Sequence, residues 1–257
     1  MGMYVTELRR RNFADSMYRV IFPDAPDPRD QAAALYELLW KKIVDQELRP
    51  GDGVVEAAIA DETGVSRTPV REALQRLVQD GLLEQRPRGV RVAMATPEAT
   101  VDLYDYRAAL ETFAARRAAL RLPPGEIQRS LDEGEVLSAR LGAPGGRHDP
   151  QVAHDSMRQD LRLHHLLLRS AGNANILRAM AAIQARLSLF QVAGTRIPGR
   201  MEQTQQEHRA ILQALLAQDA AGAGSAMAAH IEQVKAHILA DVFGRQAAPT
   251  GERAVAC

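Results

Sequence analysis

The segment from Gly64 to Leu83 constrains the fold of this chain more than any other part. It begins GVSRTPVREAL and ends DGLL. Gly64 supplies the unhindered backbone that a tight turn between crossing helices needs, and Ser66 or Thr68 can cap the helix that follows. Pro69 falls in the first turn, where its missing N–H is harmless. The pattern predicts two short helices joined by a turn, a helix-turn-helix.

The second of these helices has one apolar face and one polar face. The apolar positions recur at helical spacing and predict a buried side, formed by Val70, Ala73, Leu74 and Leu77. The other side carries the residues that we predict to contact DNA: Arg67, Thr68, Arg71 and Gln75. An arginine in the major groove can bind guanine through two hydrogen bonds, which is worth roughly 1–3 kcal/mol of discrimination between bases.

Two short strands are predicted after this helix, between Leu83 and Met94, with their turn at Pro87 to Gly89. Three arginines would lie on this wing: Arg86, Arg88 and Arg91. From position 66 to position 91 the chain has six arginines and three acidic residues. Such a local excess of positive charge is what phosphate contact requires. The alternative interpretation is an ordinary helical hairpin with solvated arginines.

Together with Pro50-Gly51 and Glu56, this segment resembles the DNA-binding domain of GntR-type bacterial transcription factors. The resemblance implies that Arg67, Thr68 and Arg71 contact operator bases or phosphates. It also implies that the wing tip, Arg88-Gly89, reaches the minor groove. Ala57 stands where some relatives carry a DNA-contacting arginine, so operator preference cannot be carried over from them.

Length and composition fit a globular protein of two domains. The chain has 257 residues, a formal net charge of zero and 46% apolar residues. It has no apolar run long enough to span a membrane and no secretory signal, so we expect a cytoplasmic protein without membrane contact. Its one cysteine, Cys257, excludes an intrachain disulfide and a cysteine-based metal site.

We predict a mainly α protein in which an N-terminal winged helix-turn-helix is followed by an all-α antiparallel helical bundle. The expected limits are 1–28 for an extension, 29–94 for the winged domain, 95–244 for the bundle and 245–257 for a tail. We interpret the extension as a mobile arm; alternatively, its triplet Arg9-Arg10-Arg11 adds to DNA contact, or the arm packs on a neighbouring subunit. The predicted helices span 31–47, 54–63, 98–121, 124–141, 151–171, 174–193, 200–218 and 225–243.

The bundle also carries a set of metal-ligating side chains. Asp160 and His164 are four residues apart and therefore share one helical face. His208 and His230 lie on two later helices, each on or near an apolar stripe that predicts burial. One carboxylate and three imidazoles would bind a divalent ion such as Zn²⁺, Ni²⁺ or Mn²⁺ and leave positions open for a ligand. Taken singly, each histidine is more often an ordinary core or surface residue, and His237, one heptad after His230, is an alternative ligand.

The pattern Asp160-x-x-Leu163-His164, followed by Ala171-Gly172-Asn173, Glu207-His208 and His230, resembles the FCD effector domain of the FadR subgroup of the GntR family. In the metal-binding branch of that group, the residues matching Asp160, His164, His208 and His230 ligate the ion. The resemblance therefore implies a divalent metal, with Zn²⁺ as the first choice. The aromatic residue usual before the first histidine is replaced here by Leu163.

Arg107 is the predicted effector-binding residue. It falls on the same side of its helix as Leu103 and Leu110, so the guanidinium points into the bundle, where a buried arginine needs an anion. The position also matches one to which the family often assigns effector contact, with Asn173 as a further candidate. The alternatives are a helix-surface ion pair between Arg107 and Glu111 and a capping role for Asn173.

These observations predict a transcriptional regulator rather than an enzyme. A homodimer would present two winged domains to a palindromic double-stranded operator, and a small organic or sugar acid bound at the metal would change operator affinity. Repression relieved by the effector is the commoner logic of the family, although the sequence does not fix the sign. Two alternatives are a regulator whose metal is structural or sensory and, more remotely, a helical metalloenzyme.

Overall fold

The structure is a computed structural model that describes residues 18, 21, 22, 27, 29–87, 89–194 and 197–244. Its first part contains the helices α1 (Gln31–Val44), α2 (Glu56–Thr63) and α3 (Arg67–Gln79) and the strands β1 (Gly53–Val54), β2 (Leu83–Arg86) and β3 (Gly89–Val92). The strands form an antiparallel sheet in the order β1-β3-β2. The winged helix-turn-helix that the sequence predicted is confirmed.

The start of α2 differs from the prediction. Val54 was expected to begin this helix, but it lies in β1, pairs with Val90 of β3 and is buried. The sheet gives this apolar side chain a place in the core, and that tertiary contact decides its conformation. At the other end of α2, Gly64 has the left-handed φ of 69° that the tight turn before α3 requires.

The second part is a bundle of helices with no strand among its described residues. It comprises α4 (Pro97–Ala118), α5 (Pro124–Gly142), α6 (Pro150–Ser170), α7 (Ala174–Gly194), α8 (Arg200–Leu216) and α9 (Ala220–Ile238). A short 3₁₀ turn at Gly146–His148 precedes α6, and a π turn at Leu239–Phe243 follows α9. Helix α4 packs on α9 and α6, while α8 contacts both α5 and α9. No described helix is both long and apolar enough to cross a membrane.

Helix α9 begins earlier than the sequence indicated. The glycines of the stretch 219–224 predicted a break, but α9 starts at Ala220. Asp219 caps it by accepting a hydrogen bond from the backbone N–H of Gly222 at 2.8 Å. Gly224 faces α4 so closely that a Cβ there would lie 2.5 Å from Nε of Arg116. This glycine permits close helix packing and is not a helix break.

The winged domain and the bundle share a hydrophobic core. The cluster around Trp40 continues into the bundle through four apolar residues of α6 and α7: Met157, Leu161, Ala185 and Val192. The buried indole Nε1 of Trp40 donates a hydrogen bond to Oγ of Ser188 in α7 at 2.9 Å. Helices α6 and α7 therefore connect the bundle interior to the winged domain.

Part of the N-terminal extension belongs to this core. Tyr18 and Ile21 are 2% and 1% exposed, and the rings of Tyr18 and Trp40 are 5.3 Å apart. The prediction of a mobile arm is therefore wrong at these positions, because the arm supplies apolar side chains that α1 alone does not. The triplet Arg9-Arg10-Arg11 and the tail 245–257 lie outside the described residues.

The hydrogen bond between the domains gives a stability prediction. Ser188→Ala leaves the buried indole N–H of Trp40 without an acceptor, so we expect the free energy of unfolding to fall by about 1–3 kcal/mol. Urea denaturation followed by tryptophan fluorescence measures this loss. Ser138→Ala is the matched control, because Ser138 also bonds a carbonyl of its own helix but accepts no bond from the winged domain. Equal losses in the two variants would contradict the prediction.

Candidate metal centre and DNA-binding surface

Asp160, His164, His208 and His230 meet inside the helical bundle. Helix α6 supplies the first two residues, α8 the third and α9 the fourth, and one ligand atom from each lies within 4.8 Å of the other three. The distance to Oδ1 of Asp160 is 3.6 Å from Nε2 of His164 and 3.4 Å from Nε2 of His208. Donors held about 2.1 Å from one ion lie roughly 3.0–4.2 Å apart. The spacing therefore fits a divalent ion at their centre.

Two of these histidines have a buried nitrogen with no hydrogen bond. His208 and His230 are 3% and 1% exposed, and the Nε2 atom of each lacks a hydrogen-bond partner among the described residues. Leaving such a group unsatisfied costs about 1–3 kcal/mol. A metal ion would accept the lone pairs that the protein leaves unused.

Two glutamates orient the histidines. His164 Nδ1 is in hydrogen-bond contact with Oε2 of Glu111, and His230 Nδ1 lies 2.7 Å from Oε2 of Glu207. A histidine that donates its Nδ1 proton to a carboxylate presents Nε2 as a lone-pair donor, the usual arrangement of a metal-ligating imidazole. The glutamates therefore point the Nε2 atoms of His164 and His230 toward the cluster.

Two arginines hold these glutamates in turn. Arg107 Nε donates to Oε1 of Glu111 at 2.6 Å, and Arg200 Nη1 donates to Oε1 of Glu207 at 2.9 Å. Each pair balances its own charge. Once His164 is neutral, as a metal-ligating imidazole must be, the carboxylate of Asp160 is the remaining negative charge at the cluster. A cation at the cluster would neutralise it.

The environment separates the pKa values of the three histidines. Burial alone would lower the pKa of His164, but the carboxylates of Glu111 and Asp160 outweigh burial and raise it to about 9. Burial lowers the pKa of His230 to about 3 and also lowers that of His208. The carboxyl of Asp160 is half-buried, and although burial would raise its pKa, His164 and His208 hold that pKa well below its usual value. Asp160 is therefore ionised and His208 and His230 are neutral, and a metal ion bound here would displace the proton that the raised pKa keeps on His164.

Of the two predicted effector residues, one faces the metal-ligand cluster and the other does not. Arg107 is 2% exposed, and its Nη2 lies 3.3 Å from Nε2 of His164, so it faces the cluster while it is paired with Glu111. Asn173 lies in the turn between α6 and α7, where its Oδ1 accepts the backbone N–H of Asn175 at 3.0 Å. That is the capping geometry, and Asn173 does not line either cavity beside the cluster.

Two cavities border the cluster. The smaller has a volume of about 70 Å³ and is lined by Arg107, Asp160 and His230, among others. His237 also lines it but is not a member of the four-residue cluster. The larger, of about 400 Å³, lies between α5, α6 and α8 and is lined by His208. Gln205 lines both cavities, and its buried Nε2 has no hydrogen-bond partner among the described residues.

Sequence reasoning missed the supporting residues Glu207, Arg200 and Gln205. Glu207 precedes His208 and projects about 100° away from it around the helix. It nevertheless reaches His230, because α8 and α9 pack together. Glu111 did carry a signal, since its i,i+4 spacing from Arg107 indicated a pair. The spacing also indicated that Arg107 points inward, but it did not indicate that Glu111 would be buried with it and would hold His164.

The outer face of α3 presents the side chains predicted to contact DNA. Arg67, Thr68, Arg71 and Gln75 are all exposed, while the predicted apolar positions of α3 are buried. Arg71 donates two hydrogen bonds to Glu56 of α2, from Nη2 to Oε1 at 3.0 Å and from Nε to Oε2 at 3.2 Å. Glu56 therefore holds this guanidinium on the exposed face in the DNA-free chain.

The wing carries fewer unpaired charges than its sequence indicated. Arg86 and Arg91 both lie within ion-pair distance of Oε1 of Glu84, at 3.1 and 2.5 Å. Gly89 is exposed at the start of β3 and has a φ of 104°. Arg88, the other predicted wing-tip contact, lies outside the described residues.

Two family models match the chain. The model of bacterial regulatory proteins of the gntR family matches residues 31–92, and the FCD domain model matches residues 102–233. A relative in Paenarthrobacter nicotinovorans, named as a probable D-xylose utilization operon transcriptional repressor, is 30% identical over 204 residues, which are 78% of this chain and 85% of that protein. A putative L-lactate dehydrogenase operon regulatory protein of Escherichia coli K12 is 28% identical over 70% of this chain and 74% of its own length.

Solved structures share the fold. The protein described as E. coli McbR/YncC superposes with a TM-score of 0.62 at 20% identity, covering 82% of this chain and 98% of that one. A GntR-type putative transcriptional regulator from Rhodococcus sp. RHA1 superposes with a TM-score of 0.58 at 24% identity, covering 81% and 97%. At these identities the likeness concerns the fold alone.

Proposed function

Since this chain belongs to the GntR family of bacterial regulatory proteins and is a DNA-binding transcriptional regulator with an FCD domain, we propose that a small carboxylate bound at a divalent metal controls its affinity for operator DNA. Residues 29–94 would bind the operator and residues 95–244 the metal and effector. The observation that carries the proposal is that Asp160 and three buried histidines meet within ligand distance, and that the Nε2 atoms of His208 and His230 have no hydrogen-bond partner among the described residues.

The donor set favours Zn²⁺, with Ni²⁺ or Mn²⁺ as alternatives. Three imidazole nitrogens and one carboxylate oxygen suit a borderline ion, whereas Ca²⁺ and Mg²⁺ prefer oxygen ligands throughout. Asp160, His164, His208 and His230 would hold the ion, and Glu111 and Glu207 would fix two of the imidazoles. When bound, the ion would supply a positive centre with room for one or two further ligands.

The charge balance supports an anionic effector. With His164 neutral as a ligand and with Glu111 and Glu207 paired to Arg107 and Arg200, Asp160 carries the one remaining negative charge, so a divalent ion would leave one net positive charge there. A carboxylate placed between the ion and Arg107 would neutralise it. An uncharged ligand would leave the net charge buried, which is costly in a low-dielectric interior.

The two cavities support a location for the effector. The cavity of about 70 Å³ beside Arg107 and Asp160 accommodates little more than a carboxylate group. The cavity of about 400 Å³ has the volume of a small-ligand site, and Arg129 and Arg169 line it. We place the carboxylate at the metal and the remainder of an organic or sugar acid in the larger cavity, with Gln205 between the two.

The proposed control acts through repression in a homodimer. Two relatives are named as transcriptional repressors, the D-xylose operon protein and RspR of E. coli. Two winged domains related by a two-fold axis would bind a palindromic operator. These domains would have two arrangements, of which one binds the operator better. The effector would change operator affinity only if it binds one arrangement more tightly than the other. Such a regulator acts on chromosomal DNA, in the cytoplasm.

Thermal unfolding of zinc-loaded protein against a panel of organic and sugar acids tests the proposal. An acid present at about 100 times its dissociation constant stabilises the folded state by about 2.7 kcal/mol. We expect that stabilisation in the wild-type protein and its loss in Arg107→Lys. Lysine keeps the positive charge but lacks the planar guanidinium that binds a carboxylate through two hydrogen bonds.

Arg117→Lys is the matched control, because Arg117 is exposed on the same helix as Arg107 and lines neither cavity beside the cluster. The same panel after dialysis against a chelator separates the alternatives. A bundle that unfolds without metal indicates a structural ion. DNA affinity that changes with metal and with no acid indicates a sensory ion. No response to any acid in the zinc-loaded protein would overturn the effector proposal.

A further inference from the structure

Another cavity lies where the winged domain, the N-terminal extension and the bundle meet. The extension lines this interdomain cavity through Ile21 and Phe22, α1 through Tyr36, α3 through Arg76, and the bundle through residues of α6 and α7. None of the four metal-cluster residues lines it, and neither does any side chain predicted to contact DNA. Its volume of about 440 Å³ is that of a small-ligand site.

Two arginines and one carboxylate line the interdomain cavity. The arginines, Arg76 and Arg169, are exposed, and neither forms an ion pair with any residue in the described part of the chain. The carboxylate of Asp80 is engaged by its own domain, since Oη of Tyr36 donates a hydrogen bond to its Oδ2 at 2.6 Å. The arginines therefore outnumber the acid by one positive charge, and an anion in the cavity would find guanidinium groups without a partner.

The rest of the cavity wall is mainly apolar. The guanidinium of Arg76 lies 4.6 Å from the centre of the Tyr36 ring, so this aromatic ring holds the cation at the wall. Leu177 is 37% exposed, which leaves part of the apolar wall open to solvent. The larger apolar side chains of the wall are Ile21, Phe22, Leu168, Leu177 and Met180.

We propose that the interdomain cavity binds a monocarboxylate with an apolar body, such as an aromatic ring. Arg76 and Arg169 bind the carboxylate, which suits the planar guanidinium, and the apolar body lies against Phe22, Leu177 and Met180. A sugar acid would bring its hydroxyl groups against these apolar walls, where they would lose hydrogen bonds to water. The ligand class of this cavity therefore differs from that of a sugar acid bound at the metal.

The interdomain site goes beyond the proposed function, because its ligand contacts both domains. Arg76 belongs to α3, the helix whose exposed face is predicted to contact DNA, and Arg169 belongs to α6, which also carries Asp160 and His164. A ligand bound to both arginines stabilises the arrangement of the two domains that this structure has, relative to any other arrangement. It acts on the DNA-binding helix without occupying the metal cluster.

Equilibrium dialysis of the full-length protein against 3-phenylpropanoate tests the site without DNA. We expect saturable binding, and binding at least about tenfold weaker for 3-phenylpropanol, which lacks the charge, and for acetate, which lacks the apolar body. The fluorescence of Trp40, the one tryptophan of the chain, reports the location, because its ring lies 5.8 Å from that of Phe22 in the cavity wall.

Two substitutions on opposite sides of the cavity test its residues. Arg76→Gln should raise the dissociation constant at least about tenfold by removing one guanidinium, and Leu177→Glu should do so by repelling the carboxylate. Arg49→Gln is the matched control, because Arg49 is exposed in the winged domain and lines neither this cavity nor the two beside the cluster. Circular dichroism should show unchanged helicity in all three variants, since each alters an exposed side chain.

Three outcomes would overturn the proposal: no saturable binding, equal binding of the acid and the alcohol, or wild-type affinity in Arg76→Gln. Arg107→Lys separates this site from the proposed effector site. Probe binding that is lost in Arg107→Lys and kept in Arg76→Gln would place the acid at the metal and would also overturn the interdomain site. Because no DNA is used and Arg76 lines neither cavity beside the cluster, failure here leaves the proposed function standing.

Discussion

Replacing His208 by alanine is expected to lower the affinity of the protein for Zn²⁺ by at least about 100-fold, roughly 3 kcal/mol at 25 °C. His208 is the single ligand that α8 contributes, and its Nε2 has no hydrogen bond that would hold it elsewhere. Asp160, His164 and His230 would remain, but three donors bind a divalent ion less tightly than four. The effector response should disappear with the metal.

Competition with a chromophoric chelator measures this loss, and metal content after dialysis gives an independent value. His148→Ala is the matched control, because His148 is exposed in the short turn before α6 and lies outside the cluster. Asp160→Asn should resemble His208→Ala, since it removes the carboxylate whose charge the ion neutralises. Wild-type zinc affinity in both cluster variants would show that the ion binds elsewhere.

Replacing Arg67 or Arg71 by alanine is expected to weaken binding to a specific operator about tenfold to 100-fold for each residue, the effect of losing one arginine contact to a base. Both side chains lie on the exposed face of α3, and α3 keeps its buried contacts when they are removed. The pair between Arg71 and Glu56 is exposed, so its loss should change the free energy of unfolding by less than about 1 kcal/mol. Weaker DNA binding would then reflect the contact itself and not unfolding.

Fluorescence anisotropy with the DNA site that the wild-type protein selects from a random-sequence library provides the measurement. Arg76→Ala is the matched control: it removes one positive charge from the same helix, but Arg76 stacks on Tyr36 at 4.6 Å, on the other side of α3. A variant that loses phosphate contact should also lower the salt dependence of binding. Equal affinities of the Arg67, Arg71 and Arg76 variants would exclude α3 as the recognition helix.

The predictions that succeeded rested on the spacing of apolar residues along a single helix. The buried face of α3 follows from the helical spacing of Val70, Ala73, Leu74 and Leu77, and the structure buries all four. The inward direction of Arg107 follows from the same reasoning, and this side chain is 2% exposed. Periodicity indicates which side of a helix is buried, because that depends only on residues of the same helix.

The predictions that failed needed knowledge of a neighbouring element. Val54 entered a strand because β3 lies beside it, and Gly224 stayed helical because α4 packs against it. Tyr18 and Ile21 joined the core because Trp40 lies within reach. In each case a tertiary contact outweighed a local preference of about 1 kcal/mol or less.

The sequence by itself determined the family, the winged helix-turn-helix, the all-helical second domain and the four residues that could ligate a metal. Only the tertiary structure decided that these four side chains meet within ligand distance, that Glu111 and Glu207 orient His164 and His230, and that the two domains share a core. The physical reason is that helical spacing fixes directions within an element, whereas distances between α6, α8 and α9 arise from how their apolar faces pack together.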